Sequence, residues 1–212
     1  MKSLSLVLAL LTTGLGTLSA KPVDLPGEKL HLDIPDSWTS SNPGGPIIFS
    51  ATDDKNTTLV NLLKMPNDQA DGVDQPEFDN GVKEGFTNKV KNQGMNVTVA
   101  QEGLTTLNGV PFYNFQGTFS AAGGQTTTFH VYVTAANGQI YMLSLQSLDP
   151  NPDAEFVGIA NSLNFLTPPA LPDPNRPKTQ SEKIGYYMGM FIAFLAVVSI
   201  FKWILRPKKQ RT

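Results

Sequence analysis

Two histidines, His31 and His130, and no cysteine limit what catalysis this 212-residue chain can perform. Nucleophilic catalysis needs a base beside a serine, threonine or cysteine, and no Gly-x-Ser-x-Gly elbow is present. Zinc needs three or four clustered ligands, whereas the histidines stand 99 residues apart, each without a neighbouring histidine. The double glycines at 44–45 and 123–124 lack the helix start and lysine that hold a phosphate. No catalytic residue is assigned. In the run NDQADGVD, Asp68, Asp71 and Asp74 surround Gly72. Clustered carboxylates suit a hard cation, so calcium is the one cofactor considered, although the every-third spacing departs from the EF-hand loop. The alternative is a solvated loop that ends in a helix cap at Asp74.

The elements around these residues are mostly strands. From Val97 to Ser147, four runs rich in Val, Phe, Tyr and Thr are separated by Asn108-Gly109, Gly123-Gly124 and Asn137-Gly138. These are turn dipeptides at hairpin spacing, and they predict a four-stranded antiparallel meander. A two-residue loop at Asn137-Gly138 sets Phe129 against Gln146 and His130 against Leu145, mixing apolar and polar on both faces. A three-residue loop, Ala136 to Gly138, sets Phe129, Val131 and Val133 opposite Leu145, Leu143 and Tyr141, so the pattern favours the bulged turn. Three-residue loops at Leu107 to Gly109 and Ala122 to Gly124 add Val97, Val99, Tyr113, Phe115 and Phe119 to that apolar face. The other face then gathers Asn114, Gln116, Thr118, Thr126, Thr128, His130, Tyr132, Ser144 and Gln146. Covered by another element, that face is structural. Left open, its residues Asn114, Gln116, His130 and Tyr132 suit recognition of a partner.

Helices flank the meander. Asp74-Gln75-Pro76-Glu77 has the spacing of a capping box, and Phe78, Val82, Phe86 and Val90 recur every fourth residue as a buried stripe. A second helix fits Pro152 to Leu163, with Phe156, Ile159 and Leu163 inward. Leu30 to Ile34, Ile47 to Ser50 and Thr58 to Met65 read as further strands. The fold class is α+β: an antiparallel sheet with a four-stranded meander flanked by helices. The opening LHLDIPDSW, the helix before the meander, NGVPFYNFQGTF, and QIYMLSLQS followed by helix and SLNF together resemble the PsbP-like superfamily over residues 28–166. The resemblance implies an exported or lumenal domain, a sheet flanked by helices, and a binding or assembly role without catalysis. It assigns no functional residue.

The ends of the chain give an address. MKSLSLVLALLTTGLGTLSA has the lysine, apolar run and small-residue end of a secretory signal, residues 1–20, cut after Ala20 or retained as an anchor. Residues 167–183 hold five prolines and form an extended linker. Residues 184–205 contain one charge, Lys202, and at 1.5 Å per residue reach about 33 Å, enough to cross a bilayer. Arg206, Lys208, Lys209 and Arg211 in the tail, 206–212, place it in the cytoplasm and the domain outside. The segment LPDPN lacks the threonine-glycine pair of a cell-wall sorting signal, so the anchor is a permanent single span in the plasma membrane. Gly185, Gly189 and Ala193 recur every fourth residue, a spacing that lets two helices approach closely as a homodimer.

Composition excludes other classes. Residues 28–166 carry 6 lysines against 15 acids, a net charge of −9, which argues against nucleic acid and anionic lipid as partners of the domain. An exported chain without cysteine has no disulfide to help it, so its own core must hold the fold. Asn56-Thr57-Thr58 and Asn96-Val97-Thr98 match the glycosylation pattern and read as chance. The expected function is therefore a single-pass, non-enzymatic binding or assembly domain with an envelope protein partner. The alternative is a cation-dependent ligand binder or enzyme using the acidic loop 68–74 or the face around His130.

Overall fold

The computed structural model describes residues 19–66, 76–92, 94–121, 124–149 and 151–171, side chains excepted at 76–80 and 121. The signal segment 1–18, the acidic residues Asp68, Asp71 and Asp74, most of the linker, the apolar stretch 184–205 with Gly185, Gly189 and Ala193, and the tail lie outside the described residues. Among those described, no helix is long and apolar enough to cross a membrane.

Strands β1 (Ala20–Leu25) and β2 (Leu30–Pro35) form a hairpin, and β3 (Thr39–Ser41), β4 (Ile47–Thr52) and β5 (Thr58–Pro66) follow. Helix α1 (Pro76–Asn92) precedes the meander β6 (Met95–Leu107), β7 (Val110–Ala121), β8 (Thr126–Ala136) and β9 (Gln139–Ser147). The described chain closes with α2 (Asp153–Ser162) and β10 (Asn164–Phe165). The main sheet runs β3-β4-β5-β9-β8-β7-β6, and a second sheet runs β1-β2-β10. All pairings are antiparallel. Both helices, the meander and the three strands before α1 stand where the sequence pattern places them. Strand β1 was not anticipated, because KPVDL is short and contains a proline.

The middle of the main sheet, at β8 and β9, is covered on both faces. Val82, Phe86 and Val90 of α1 are buried against Phe115, Phe119, Phe129, Val131 and Met142. Phe86 stands edge-on to Phe115, with ring centroids 5.3 Å apart. Across the sheet, Phe156 and Ile159 of α2, with Leu30, Leu32 and Ile34 of β2, cover Phe49, Val60, Leu62, Tyr132, Leu143 and Leu145. Two cores on one sheet explain how a chain without disulfides buries enough apolar surface to fold.

The register corrects the three-residue loops. Ala136 pairs with Gln139 and Leu107 with Val110, so Asn137-Gly138 and Asn108-Gly109 are two-residue turns. All four residues have positive φ, from 48° to 82°, the mirror-image turn whose twist matches the flanking strands. Phe129 therefore faces Gln146 and His130 faces Leu145, the pairing that the alternation argued against. That argument assumed one solvated face, and at β8 and β9 both faces are buried. Leu143 and Leu145 enter the α2 core, while Ser144 and Gln146 enter the α1 core, where the Gln146 side-chain amide donates to Ser144 Oγ at 3.2 Å. In β6 an extra residue at Ala100 shifts the register back, so Val97 still pairs with Phe119 as the longer loop implied. Phe119 pairs with Thr127 across β7 and β8, also as expected.

Candidate functional site

His130 sits in the middle of β8, on the face that α2 covers. It is 4% exposed, its Nε2 lies 3.2 Å from Asp153 Oδ1, and its ring stands edge-on to Phe156 at 5.1 Å. Burial pushes its pKa below the ordinary histidine value, against the opposing pull of Asp153. Nδ1 is buried without a hydrogen-bond partner among the described residues. Tyr132 is 5% exposed, and burial holds its phenol above the ordinary value while Asn114, opposite it on β7, hydrogen-bonds it. Asn114 and Gln116 remain half-buried, and the Gln116 amide donates to the side chain of Gln101. The structure thus places Asn114, Gln116, His130 and Tyr132 on one face, as expected, and roofs the last two with a helix. Among the described residues no hydroxyl hydrogen-bonds His130, so its partner Asp153 orients a packed ring.

His31 is a different arrangement. Its Nδ1 lies 2.7 Å from Asp24 Oδ1 across the β1–β2 hairpin, and its Nε2 lies 3.1 Å from Asp33 Oδ1. The Asp24 hydrogen bond, then the nearby charges, hold its pKa above the ordinary value against a burial penalty. A protonated imidazole donates to both carboxylates, tying β1 to β2. No sequence signal marked this bridge, because Asp24 belongs to the unanticipated strand.

A cleft of about 200 Å³ opens between β2 and α2. Ile34, Pro35 and Ile159 form its apolar walls, and Asp33, Glu155 and Ser162 supply its polar groups. Ser162 Oγ accepts from the Asp33 amide at 2.8 Å and donates to the Ile159 carbonyl at 2.7 Å, so it is already used. Glu155 is half-buried. Burial first, then the charges of Asp53 and Asp149, hold its carboxyl above the ordinary range. A second cleft of about 280 Å³ lies beside Asp24, Glu28, Asn42 and Ile48. Among the described residues no group of three or more His, Asp or Glu is arranged to hold a metal ion.

The two Asn-Gly turns, at one end of the sheet, also fasten the chain's exit. Asn108 Nδ2 donates to the carbonyls of Asn161 and Leu163, both at 2.9 Å, at the end of α2. The Asn137 amide donates to the Ala170 carbonyl, and the Ala170 amide donates to Asn137 Oδ1, each at 2.8 Å. The chain after β10 is therefore strapped to the domain at Ala170. Strand β5 ends at the same end of the sheet, where Pro66 pairs with Gln139.

An antiparallel sheet with a helix on one face, and a helix and small sheet on the other, defines a three-layer α+β domain. Its fold is PsbP-like, as the sequence resemblance implied. The solution structure of cyanobacterial PsbP from Synechocystis sp. PCC 6803 matches with a TM-score of 0.57 at 13% identity, over 72% of this chain and 95% of that one. The Saccharomyces cerevisiae Ran-binding protein Mog1p gives 0.49 at 11% identity over 71% and 97% of the two chains. LpqN, involved in cell envelope biogenesis of Mycobacterium tuberculosis, gives 0.44 at 17% identity over 68% and 89%. The fold assignment rests on the first of these. No family model and no curated protein matches the sequence.

Proposed function

We propose that this chain is exported by residues 1–20, cut after Ala20, and held by 184–205 as a single-span plasma-membrane protein. Its PsbP-like domain faces outward and binds or assembles an envelope protein without catalysis. The observation that carries the reading is that at β8 and β9 both faces of the main sheet are closed by the domain's own elements, with His130 sealed under α2. The two described clefts, of about 200 and 280 Å³, fall below the roughly 300–1,000 Å³ of small-molecule sites, and the reading therefore favours edges and sheet ends as recognition surface. The strap at Asn137 roots the linker at one end of the domain, and the 12 residues 172–183 span at most about 37 Å if extended.

Because the chain has no cysteine, single replacements report topology. With a membrane-impermeant maleimide on intact cells, Asp54→Cys, at an exposed turn, is labelled and Lys209→Cys is protected. The reverse pattern refutes the orientation. Crosslinking and affinity capture of the full chain from membranes then yield a reproducible envelope complex, and isolation as a lone protein refutes the assembly role. Gly189→Ile disrupts self-association in detergent where the Gly185, Gly189 and Ala193 stripe forms a dimer. Calcium belongs to this reading only if it raises the unfolding midpoint and Asp71→Asn abolishes the rise.

A further inference from the structure

Ala20 has two positions at once: it precedes the proposed cut, and it lines the cleft between β2 and α2 together with Asp33 and Glu155. Glu155 has no hydrogen bond or ion pair among the described residues, and the charges bearing on it are those of Asp53 and Asp149. Asp33 already accepts from His31. A half-buried carboxylate among further acids is unfavourable until a cation joins it.

We propose that the cut itself supplies this cation: the new α-ammonium of Lys21 becomes the partner of Glu155 at the cleft, with Asp33 on the opposite wall. The inference rests on the processing reading above. In the reaction, water adds across the Ala20–Lys21 amide. Ala20 leaves with the carboxylate on the released leader, and the Lys21 nitrogen becomes an amine that takes up a proton, since a free α-amine has a pKa of about 7.7–8.0. The charge therefore arises one bond from a residue that lines the cleft. Lys21 is held in place independently, its Nζ donating to the Trp38 carbonyl at 2.5 Å and the Asp36 carbonyl at 3.4 Å. Downstream, Val23 pairs with Leu32 and Leu25 with Leu30. The cut removes the Ala20–Pro35 pairing and the bond from the Asp36 amide to the Ser19 carbonyl. Because the scissile amide lies inside a paired strand, hydrolysis precedes completion of β1. The charged groups that line the cleft are Asp33, bonded to His31, and Glu155, on which the charges of Asp53 and Asp149 act; the Lys21 side chain reaches the Asp36 and Trp38 carbonyls, and Asp153 on α2 faces His130.

The test uses the full chain purified from membranes. Mass spectrometry first reads the terminus: a start other than Lys21 overturns the processing reading and this inference with it. With Lys21 confirmed, the α-amine pKa is measured by NMR after reductive ¹³C-methylation, in the wild type and in Glu155→Gln. The expected result is an α-amine titrating above the free value and moving down toward it in E155Q. An equal pKa in the two proteins overturns the inference while leaving the processing reading intact. Thermal unfolding supplies a second measure. E155Q lowers the midpoint of the cut chain and leaves unchanged or raises that of an uncut Ala20→Leu chain. A drop of the same size in both forms overturns the pairing.

Discussion

Tyr132→Ala decides whether the face around His130 is core or recognition surface. Tyr132 is 5% exposed, lies opposite Leu143 on β9, and shares a core with Phe156 and Ile159 of α2. Truncating such a buried aromatic costs about 3–5 kcal/mol. At about 2–4 °C per kcal/mol for a domain of this size, the unfolding midpoint falls by about 6–20 °C. His130→Ala costs less, about 1–2 kcal/mol, because it loses the contact with Phe156 but also removes a buried Nδ1 that has no partner among the described residues. The assay is thermal unfolding of the full-length protein in detergent, followed by the fluorescence of Trp38, which is 3% exposed in the same core. An open face predicts the opposite pair of results: a midpoint within about 2 °C of wild type and loss of partner capture. That outcome refutes the placement of α2 over His130 and returns the face to the solvent.

The two histidines respond to pH with opposite signs. The pKa of His31 is raised, so its contribution is complete below about 6.5 and is lost as pH rises through the folded value. His31→Gln is therefore most destabilising near pH 5–6 and nearly neutral at pH 9, as denaturant melts at each pH will record. The pKa of His130 is lowered, so its contribution is complete above about 6.5 and is lost as pH falls. His130→Gln accordingly flattens the acid limb of the same curve. At Gly117 an added Cβ meets the Thr98 carbonyl oxygen at 1.9 Å and the Val99 Cα at 3.0 Å. Gly117→Ala forces β6 away from β7 and costs about 1–3 kcal/mol in chemical denaturation; an unchanged midpoint contradicts the close approach. Asn108→Gly keeps the turn's positive φ of 48° but drops two hydrogen bonds to the end of α2, costing about 1–2 kcal/mol. Asn108→Ala adds about 1 kcal/mol of backbone strain, and hydrogen exchange is fastest in the last turn of α2 for both.

The helices were readable in sequence because a one-sided helix carries its own record. Val82, Phe86 and Val90 recur every fourth residue, and all three are buried; Phe156, Ile159 and Leu163 behave alike at α2. The strands were readable as strands, and so was the β7–β8 register, but the β8–β9 register was not. Alternation tells two faces apart only when one is wet, and in β8 and β9 residues on both faces are buried. The handedness of the Asn-Gly turns then sets the pairing, and the α1 core accepts Ser144 and Gln146 as the consequence.

The candidate surfaces divide along the same line. Composition and local periodicity were enough to indicate an acidic, cysteine-free α+β domain, because these depend on residue types and spacing; the PsbP-like fold was indicated by the resemblance of LHLDIPDSW, NGVPFYNFQGTF and QIYMLSLQS. Which face α2 covers, that His130 is sealed under it, that Asp24 and Asp33 clasp His31, and that Ala20 and Glu155 line one cleft depend on contacts between distant segments. Asp33 and Ser162, joined by a 2.8 Å hydrogen bond, lie 129 positions apart. No local pattern encodes such a distance; it follows from both cores closing on one sheet at once.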